Sequence, residues 1–364
     1  MPSNQKRILI TAGGTGGHLY PAQALAQQLS KALPNSEILF AAGGLSTSHF
    51  FDRTSYTFKD VPCSGLSKHP FKFLRNTFKI FKGIRQSLKI IKQFKPDVVV
   101  GFGSYYTVPI LIASKLCKIP FVLHEANSIP GKANKWLAPH AKYVGVHFPS
   151  TIALLKGKVV EVGLPIREGY SVEVCKKAAQ QYFELSAQFF TVLVFGGSQG
   201  AAAINQLLAE AMPYLNGLNI QFIHLLGKNE NLELISDLYK KYLFSACIKN
   251  YEDNMQFAWR AADLFIGRSG ASTIAEAMEF EVPGILIPYP HAADNHQDKN
   301  ADFFVDHVQG GVKLKQKSLT GHTLANEIKK IILGNLNISL LNAIKTYKQK
   351  PKLNLRDLIL KTLN

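Results

Sequence analysis

Two short apolar runs with the same surroundings stand about 185 residues apart in the chain. The first is Arg7-Ile8-Leu9-Ile10-Thr11-Ala12-Gly13-Gly14-Thr15-Gly16-Gly17-His18, and the second is Thr191-Val192-Leu193-Val194-Phe195-Gly196-Gly197-Ser198-Gln199-Gly200-Ala201. An unbroken apolar run of this length fits a parallel strand buried on both faces. Each run meets a glycine cluster and then enters a helical pattern, over Pro21–Leu29 and Ala201–Met212 respectively. Strand, glycine-rich turn and helix form the opening unit of a doubly wound α/β domain. Its double occurrence predicts two Rossmann-like parallel-sheet domains in tandem. Further strands are expected at residues 37–41, 98–101, 121–124 and 143–146 in the first half, and at 222–225, 264–266 and 284–287 in the second. Helical stretches separate most of them, as parallel crossovers require. Gly and Pro punctuate Val162-Gly163-Leu164-Pro165-Ile166-Arg167, which predicts domains at 1–163 and 164–339. Residues 340–364 are expected to form a basic amphipathic helix on either domain.

Composition agrees with this plan and adds a charge problem. The 364 residues suit two cores of roughly 150–180 residues each. With 46% hydrophobic and 18% charged residues, the chain belongs with folded rather than disordered proteins. No apolar run approaches the ~18 residues of a membrane span, and the start lacks the pattern of a signal peptide, so a cytoplasmic location is expected. Cys63, Cys117, Cys175 and Cys247 are far apart and form no CxxC pair, which points to reduced thiols rather than zinc or redox chemistry.

The formal net charge is +17, which implies an anionic partner. Much of the excess lies between Val61 and Pro96, where no Asp or Glu occurs. There Lys68, Lys72, Arg75, Lys79, Lys82, Arg85, Lys89, Lys92 and Lys95 alternate with Phe71, Phe73, Phe78, Phe81 and Phe94. Several of the basic residues recur at three- and four-residue steps, the pattern of a surface helix meeting anionic membrane lipids. Each basic residue near such a surface contributes about 1 kcal/mol. A helix half facing the core and half solvated has the same pattern. No helix-turn-helix, zinc or RNA-binding motif accompanies the charge, so nucleic acid is not the expected partner.

The candidate chemistry lies just after the strands. Glycines in the first turn let a ligand approach the backbone, and N–H groups at a helix start favour an anion. The spacing is not GxGxxG, and no acid follows the second strand, which ends Phe40-Ala41-Ala42-Gly43-Gly44; both facts weigh against a dinucleotide site. His18 directly after the turn is either a general base working near neutral pH or a helix-capping histidine. The second turn repeats the phosphate logic and adds the hydroxyl of Ser198. A third cluster, Arg268-Ser269-Gly270-Ala271-Ser272-Thr273-Ile274-Ala275-Glu276, again opens a helix with small and hydroxylated residues. Glu276 can accept two hydrogen bonds from a ribose or sugar diol, or merely complement the helix dipole. The polar segment His291-Ala292-Ala293-Asp294-Asn295-His296-Gln297 suits hydroxyl-rich ligands. It lacks a third ligand cluster, so no metal is expected; no Asp-x-Asp occurs either. A diphosphate would then be balanced by helix ends and backbone donors. His124-Glu125-Ala126-Asn127 closes a strand of the first half and should face the same crevice as Thr15 and His18.

These motifs, with Gly101-Phe102-Gly103-Ser104-Tyr105, resemble the MurG family, the UDP-N-acetylglucosamine transferases that act on lipid-linked N-acetylmuramyl-pentapeptide in bacterial peptidoglycan synthesis. The resemblance runs over nearly the full length. It implies a GT-B fold with an interdomain cleft, an N-terminal domain that takes the lipid acceptor and associates with the membrane, and a C-terminal domain that binds the UDP-sugar. It also implies an inverting transfer to the 4-hydroxyl of the acceptor at the cytoplasmic face of the inner membrane, by a peripheral enzyme with no cofactor. Carried over, Ser198 and its turn meet the donor diphosphate, Arg167 contacts the donor, and Ala271, Ser272 and Thr273 border the nucleotide. Glu276 then takes the ribose and Gln297 the transferred sugar. Thr15, Gly16, Gly17 and Asn127 complete the donor-sugar side, and His18 is the candidate base. The pyrimidine-contacting position falls at Glu252, where relatives often carry an aliphatic residue; contact through the backbone is implied. Ala126 stands where relatives often carry Gln. A diacylglycerol glycosyltransferase or a UDP-sugar 2-epimerase would share the fold and the donor turns. A non-enzymatic lipid- or nucleic-acid-binding protein would need neither.

Overall fold

A computed structural model describes residues 5–65, 70–167, 174–197, 200–228 and 230–364, with the side chains of 70–74 outside the description. The chain divides into two compact units: residues 1–168 with 352–364, and residues 169–351.

The first unit opens with β1 (Arg7–Thr11), α1 (Gly16–Ala32), β2 (Glu37–Ala42), β3 (Phe58–Asp60), α2 (Pro70–Phe94), β4 (Val98–Gly101) and α3 (Val108–Leu116). It continues through β5 (Phe121–Glu125), α4 (Lys132–Leu137), β6 (Tyr143–Val146) and β7 (Val159–Gly163). The second unit holds α5 (Lys176–Tyr182), β8 (Phe190–Phe195), α6 (Ala202–Leu215), β9 (Ile220–Leu225), α7 (Leu232–Lys241), β10 (Ala246–Lys249) and α8 (Met255–Ala261). After these come β11 (Leu264–Gly267), α9 (Ala271–Phe280), β12 (Gly284–Leu286), α10 (His296–Asp302), β13 (Gly311–Lys313), α11 (Gly321–Leu333) and α12 (Leu336–Lys348). The chain then returns to the first unit as β14 (Leu353–Asn354) and α13 (Leu355–Leu363).

Both sheets are parallel. The first runs β3-β2-β1-β4-β5-β6-β7-β14 and the second β10-β9-β8-β11-β12-β13. Alternation along β1 builds two layers. Ile8 and Ile10 pack with Leu19, Leu25 and Leu29 of α1, while Leu9 packs on the opposite face with Ile90 and Ile91 of α2 and Ile110 and Leu111 of α3. In the second unit Val192 and Val194 of β8 pack with Ile204 and Leu208 of α6 and Leu324 and Ile328 of α11.

Each sheet reverses its winding once, between β1 and β4 and between β8 and β11. Loops leaving neighbouring strands on opposite sides open a crevice at the strands' carboxyl ends, where ligands of doubly wound folds bind. The glycine turns follow β1 and β8, and the clusters at 101–105 and 268–276 follow β4 and β11. All four motifs therefore sit at switch points.

The C-terminal segment differs from the single helix expected over 340–364. The helix stops before Pro351, whose ring and missing N–H oppose helix continuation. Leu340 and Ile344 of α12 are buried in the second unit, while Leu355, Leu358 and Ile359 enter the core of the first. The two halves of the expected helix belong to different units.

Candidate active site

In the first unit the turn after β1 is shaped by close approach. Gly14 sits at φ +96°, in the left-handed region open to glycine, facing the Tyr106 ring. Helix α1 starts at Gly16 behind Thr15, whose carbonyl accepts from the N–H groups of His18 (3.1 Å) and Leu19 (3.1 Å). With these two bonded, the N–H groups of Gly16 and Gly17 at the start of α1 are the ones available to an anion. His18 is half-buried, and burial pushes its pKa down to about 4. Its imidazole is thus neutral at physiological pH, the form that accepts a proton.

Beside it, at the ends of β5 and β6, His124 and His147 are almost fully buried. Burial carries His124 down to about 3, and the neighbouring His147 and His18 push in the same direction. Glu125 is buried too, and its carboxylate organises the following loop. It accepts from the N–H of Asn127 at 3.0 Å, from the N–H of Gly131 at 2.9 Å and from Asn134 Nδ2 at 2.9 Å. Burial raises its pKa against the opposing pull of these bonds. The Asn127 side chain also bonds Glu125, so Glu125 shapes the loop that presents Asn127. Asn134, on α4, carries no signal in the sequence that would link it to Glu125. Arg167 lies with this unit: its guanidinium is 3.6 Å over the ring of Tyr20, two residues beyond His18.

In the second unit the turn after β8 closes through a 2.9 Å bond from the Gly200 N–H to the Gly197 carbonyl. A Cβ at Gly196 would lie 2.3 Å from the backbone nitrogen of Ala201, so only glycine fits between strand and helix. Ser198 lies outside the described residues. After β11, Arg268 is buried and its Nη1 donates to the carbonyls of Ile287 (3.0 Å) and Pro288 (3.3 Å); burial lowers its pKa. That guanidinium holds the loop after β12 in place. The Ser269 hydroxyl donates to the Gln297 carbonyl at 2.7 Å, and the Tyr289 N–H donates to Gln297 Oε1 at 2.9 Å. The Gln297 amide is therefore oriented with its NH₂ group turned from these partners. Ala271, Ser272 and Thr273 form the first turn of α9, and the buried Ser272 hydroxyl has no partner among the described residues. Glu276, one turn later, accepts from Trp259 Nε1 at 2.8 Å.

Glu252, between β10 and α8, is buried, and its side chain is fully engaged. Lys249 Nζ lies 2.7 Å from Oε2, while the Asn254 N–H (2.8 Å) and the Tyr182 hydroxyl (3.3 Å) donate to Oε1. Burial alone would raise its pKa, but Lys249 and the Asn254 N–H hold it below the ordinary value. The carboxylate thereby braces the loop between β10 and α8. On α10, Asp298 pairs with Lys313 of β13 at 3.2 Å, and Asp302 pairs with the same lysine. Among the described residues no three His, Cys, Asp or Glu side chains are grouped as metal ligands.

Residues 8–146 match the glycosyltransferase family 28 N-terminal domain, and residues 191–358 the family's C-terminal domain. The chain is 54% identical, over 98% of its own length and 96% of the relative's, to the UDP-N-acetylglucosamine--N-acetylmuramyl-(pentapeptide) pyrophosphoryl-undecaprenol N-acetylglucosamine transferase of Protochlamydia amoebophila. It is 34% identical to the protein of the same name from Chlamydia muridarum, covering 88% of each chain. The crystal structure of Acinetobacter baumannii MurG superposes with a TM-score of 0.76 at 26% identity, covering 98% of this chain and 99% of that one. A UDP-glucose:anthocyanidin 3-O-glucosyltransferase, at TM-score 0.71 and 14% identity over 99% of both chains, shares the fold.

Proposed function

The chain belongs to the MurG family of glycosyltransferases, and from that premise we propose that it moves N-acetylglucosamine from UDP-N-acetylglucosamine to undecaprenyl-pyrophosphoryl-N-acetylmuramyl-pentapeptide. The observation that carries the reading is the 54% identity to a transferase of that name over almost the whole of both chains.

In this reading the carboxyl edge of the second sheet holds the nucleotide. The turn containing Gly196, Gly197 and Ser198 receives the diphosphate on backbone donors, and the start of α9 borders the nucleoside. Glu276 accepts from the ribose hydroxyls, and the loop braced by Glu252 reads the base through its backbone. Gln297 donates to the transferred sugar. The edge of the first sheet supplies Thr15, Gly16, Gly17, Asn127 and Arg167 to the donor, together with the base. The acceptor's 4-hydroxyl attacks the anomeric carbon from the face opposite the leaving group. The new C–O bond forms as the bond to the diphosphate oxygen breaks, with inversion. Neutral His18 takes the hydroxyl proton, and UDP leaves with its charge met by N–H donors aimed at it beforehand, the electrostatic contribution that usually weighs most. The basic segment between Lys68 and Lys95 carries the protein as a peripheral enzyme to anionic lipids at the cytoplasmic face of the inner membrane, where the acceptor resides.

The test is transfer of radiolabelled N-acetylglucosamine from the UDP-sugar to the lipid-linked muramyl-pentapeptide. Label in that product, none in diacylglycerol and no 2-epimer in the acceptor-free reaction are expected. Transfer to diacylglycerol, or epimer formed without acceptor, would replace the reading.

A further inference from the structure

We propose that Trp259 is the positioning residue for the ribose-binding carboxylate of Glu276, a proposal that rests on the reading of Glu276 as the ribose ligand. Trp259 lies on α8 and is completely buried. An indole has a single hydrogen-bonding group, an N–H that only donates, and in a buried ring that N–H needs an acceptor. Here the acceptor is Glu276 Oε2 at 2.8 Å. A donor bound to a carboxylate makes a charge-assisted bond, stronger than a neutral one and more exacting in geometry.

The ring itself has little freedom. Phe280 lies parallel to it, with centroids 6.4 Å apart and planes at 7°. Phe195 and Phe265 meet it edge-on, at 5.4 Å and 5.2 Å. These contacts come from the end of β8, from β11 and from the end of α9. Close-packed surroundings hold a side chain in one rotamer, so the direction of the N–H is fixed by four elements of the unit. The carboxylate plane of Glu276 takes its orientation from that N–H. Phe195 is also the residue before Gly196, so the ring that packs edge-on against Trp259 stands at the start of the diphosphate turn. The ribose and the phosphates are thereby read from a common frame, and a diol is recognised by an acid that does not have to be ordered when the ligand arrives.

Trp259→Phe keeps a buried ring and removes the N–H. Calorimetry on the full chain compares UDP with 2′,3′-dideoxy-UDP, which lacks the ribose hydroxyls. We expect wild type to prefer UDP. Trp259→Phe should weaken UDP by about tenfold, the size of one hydrogen bond to a charged group, and leave the dideoxy ligand nearly unchanged. The KM for the UDP-sugar should rise with kcat little altered. Equal weakening of both ligands, or discrimination as strong as in wild type, overturns the proposal, since packing alone would then describe Trp259. Equal binding of both ligands by wild type overturns the ribose reading of Glu276 itself. Should the phenylalanine variant not fold, β-(3-benzothienyl)alanine at position 259 retains the bicyclic shape with sulfur in place of the N–H and allows the same comparison.

Discussion

His18 shows how one residue's surroundings decide its chemistry. A solvated imidazole titrates near 6.5, but at this position burial pushes the value down to about 4. In the proposed transfer the neutral ring accepts the proton, and a lowered pKa keeps the ring neutral at every pH above about 4. The acid limb of kcat/KM reports the free enzyme and is expected below pH 5, far from the ordinary histidine value; a limb near 6.5 that vanishes in His18→Gln would contradict this. His18→Ala should lower kcat at least a hundredfold or so, within the range for acid–base groups, while UDP binding measured by calorimetry persists. Turnover close to wild type would remove His18 from the role of base. Glu252 carries a second expectation. If its carboxylate braces the loop for backbone reading of the base, Lys249→Met and Glu252→Gln should each weaken UDP several-fold and reduce preference for UDP over CDP. An unchanged preference in both variants would assign the pair to packing alone. Lys249 and Glu252 are three residues apart and their partnership was open to inspection in the sequence. The pairs Trp259–Glu276 and Asn134–Glu125 were not, because only the packing of separate elements brings them together.

At the level of elements, α2 divides the two readings of the basic–aromatic segment between its halves. Toward its C-terminal end Ser87, Ile90 and Ile91 are buried, and Gly83 lies so close to the Pro62 carbonyl that a Cβ would come within 2.0 Å of that oxygen. This half is a core helix with a solvated back. Further toward the N-terminus Phe78 is 70% exposed and Phe81 56% exposed, among Arg75, Lys79 and Lys82, where a soluble surface gains nothing from phenyl rings. The periodicity announced an amphipathic helix but contained no information on which stretch the core covers, because the apolar stripe continues through both halves. Among the described residues no helix is long and apolar enough to cross a membrane. Phe78→Ser combined with Phe81→Ser should reduce co-sedimentation with phosphatidylglycerol vesicles by an order of magnitude or more, since each ring contributes about 2 kcal/mol on leaving water. Calorimetric UDP affinity should not move. Equal sedimentation of variant and wild type would exclude the exposed rings from membrane contact.

At the level of the whole molecule, the repeated strand–glycine turn–helix unit was enough to anticipate two parallel α/β sheets, because buried parallel strands leave continuous apolar runs. Short strands such as Phe58–Asp60 and Gly311–Lys313 have no such run and give no signal in the sequence. Neither does the return of the chain to its first unit, which depends on tertiary packing that a basic amphipathic pattern cannot specify. That return has a thermodynamic consequence. The segment 352–364 places Leu355, Leu358 and Ile359 in the core of the first unit at no more than 3% exposure, and β14 pairs with β7. Full burial of one such side chain is worth about 1.5–3 kcal/mol, so three of them approach the whole net stability of a typical domain, about 5–15 kcal/mol. The core cluster of the second unit around β8 and α6 runs from Val192 to Leu340 and draws nothing from this segment. A chain ending at Pro351 should therefore lose the unfolding transition of its first unit, or show it at a much lower temperature, while the second unit unfolds as before and still binds UDP. Scanning calorimetry with and without UDP separates the two, because a ligand raises the transition of the unit that binds it. Transitions unmoved by the truncation would mean that α13 only covers a core already complete. Loss of the UDP-responsive transition would mean that the two units do not fold independently.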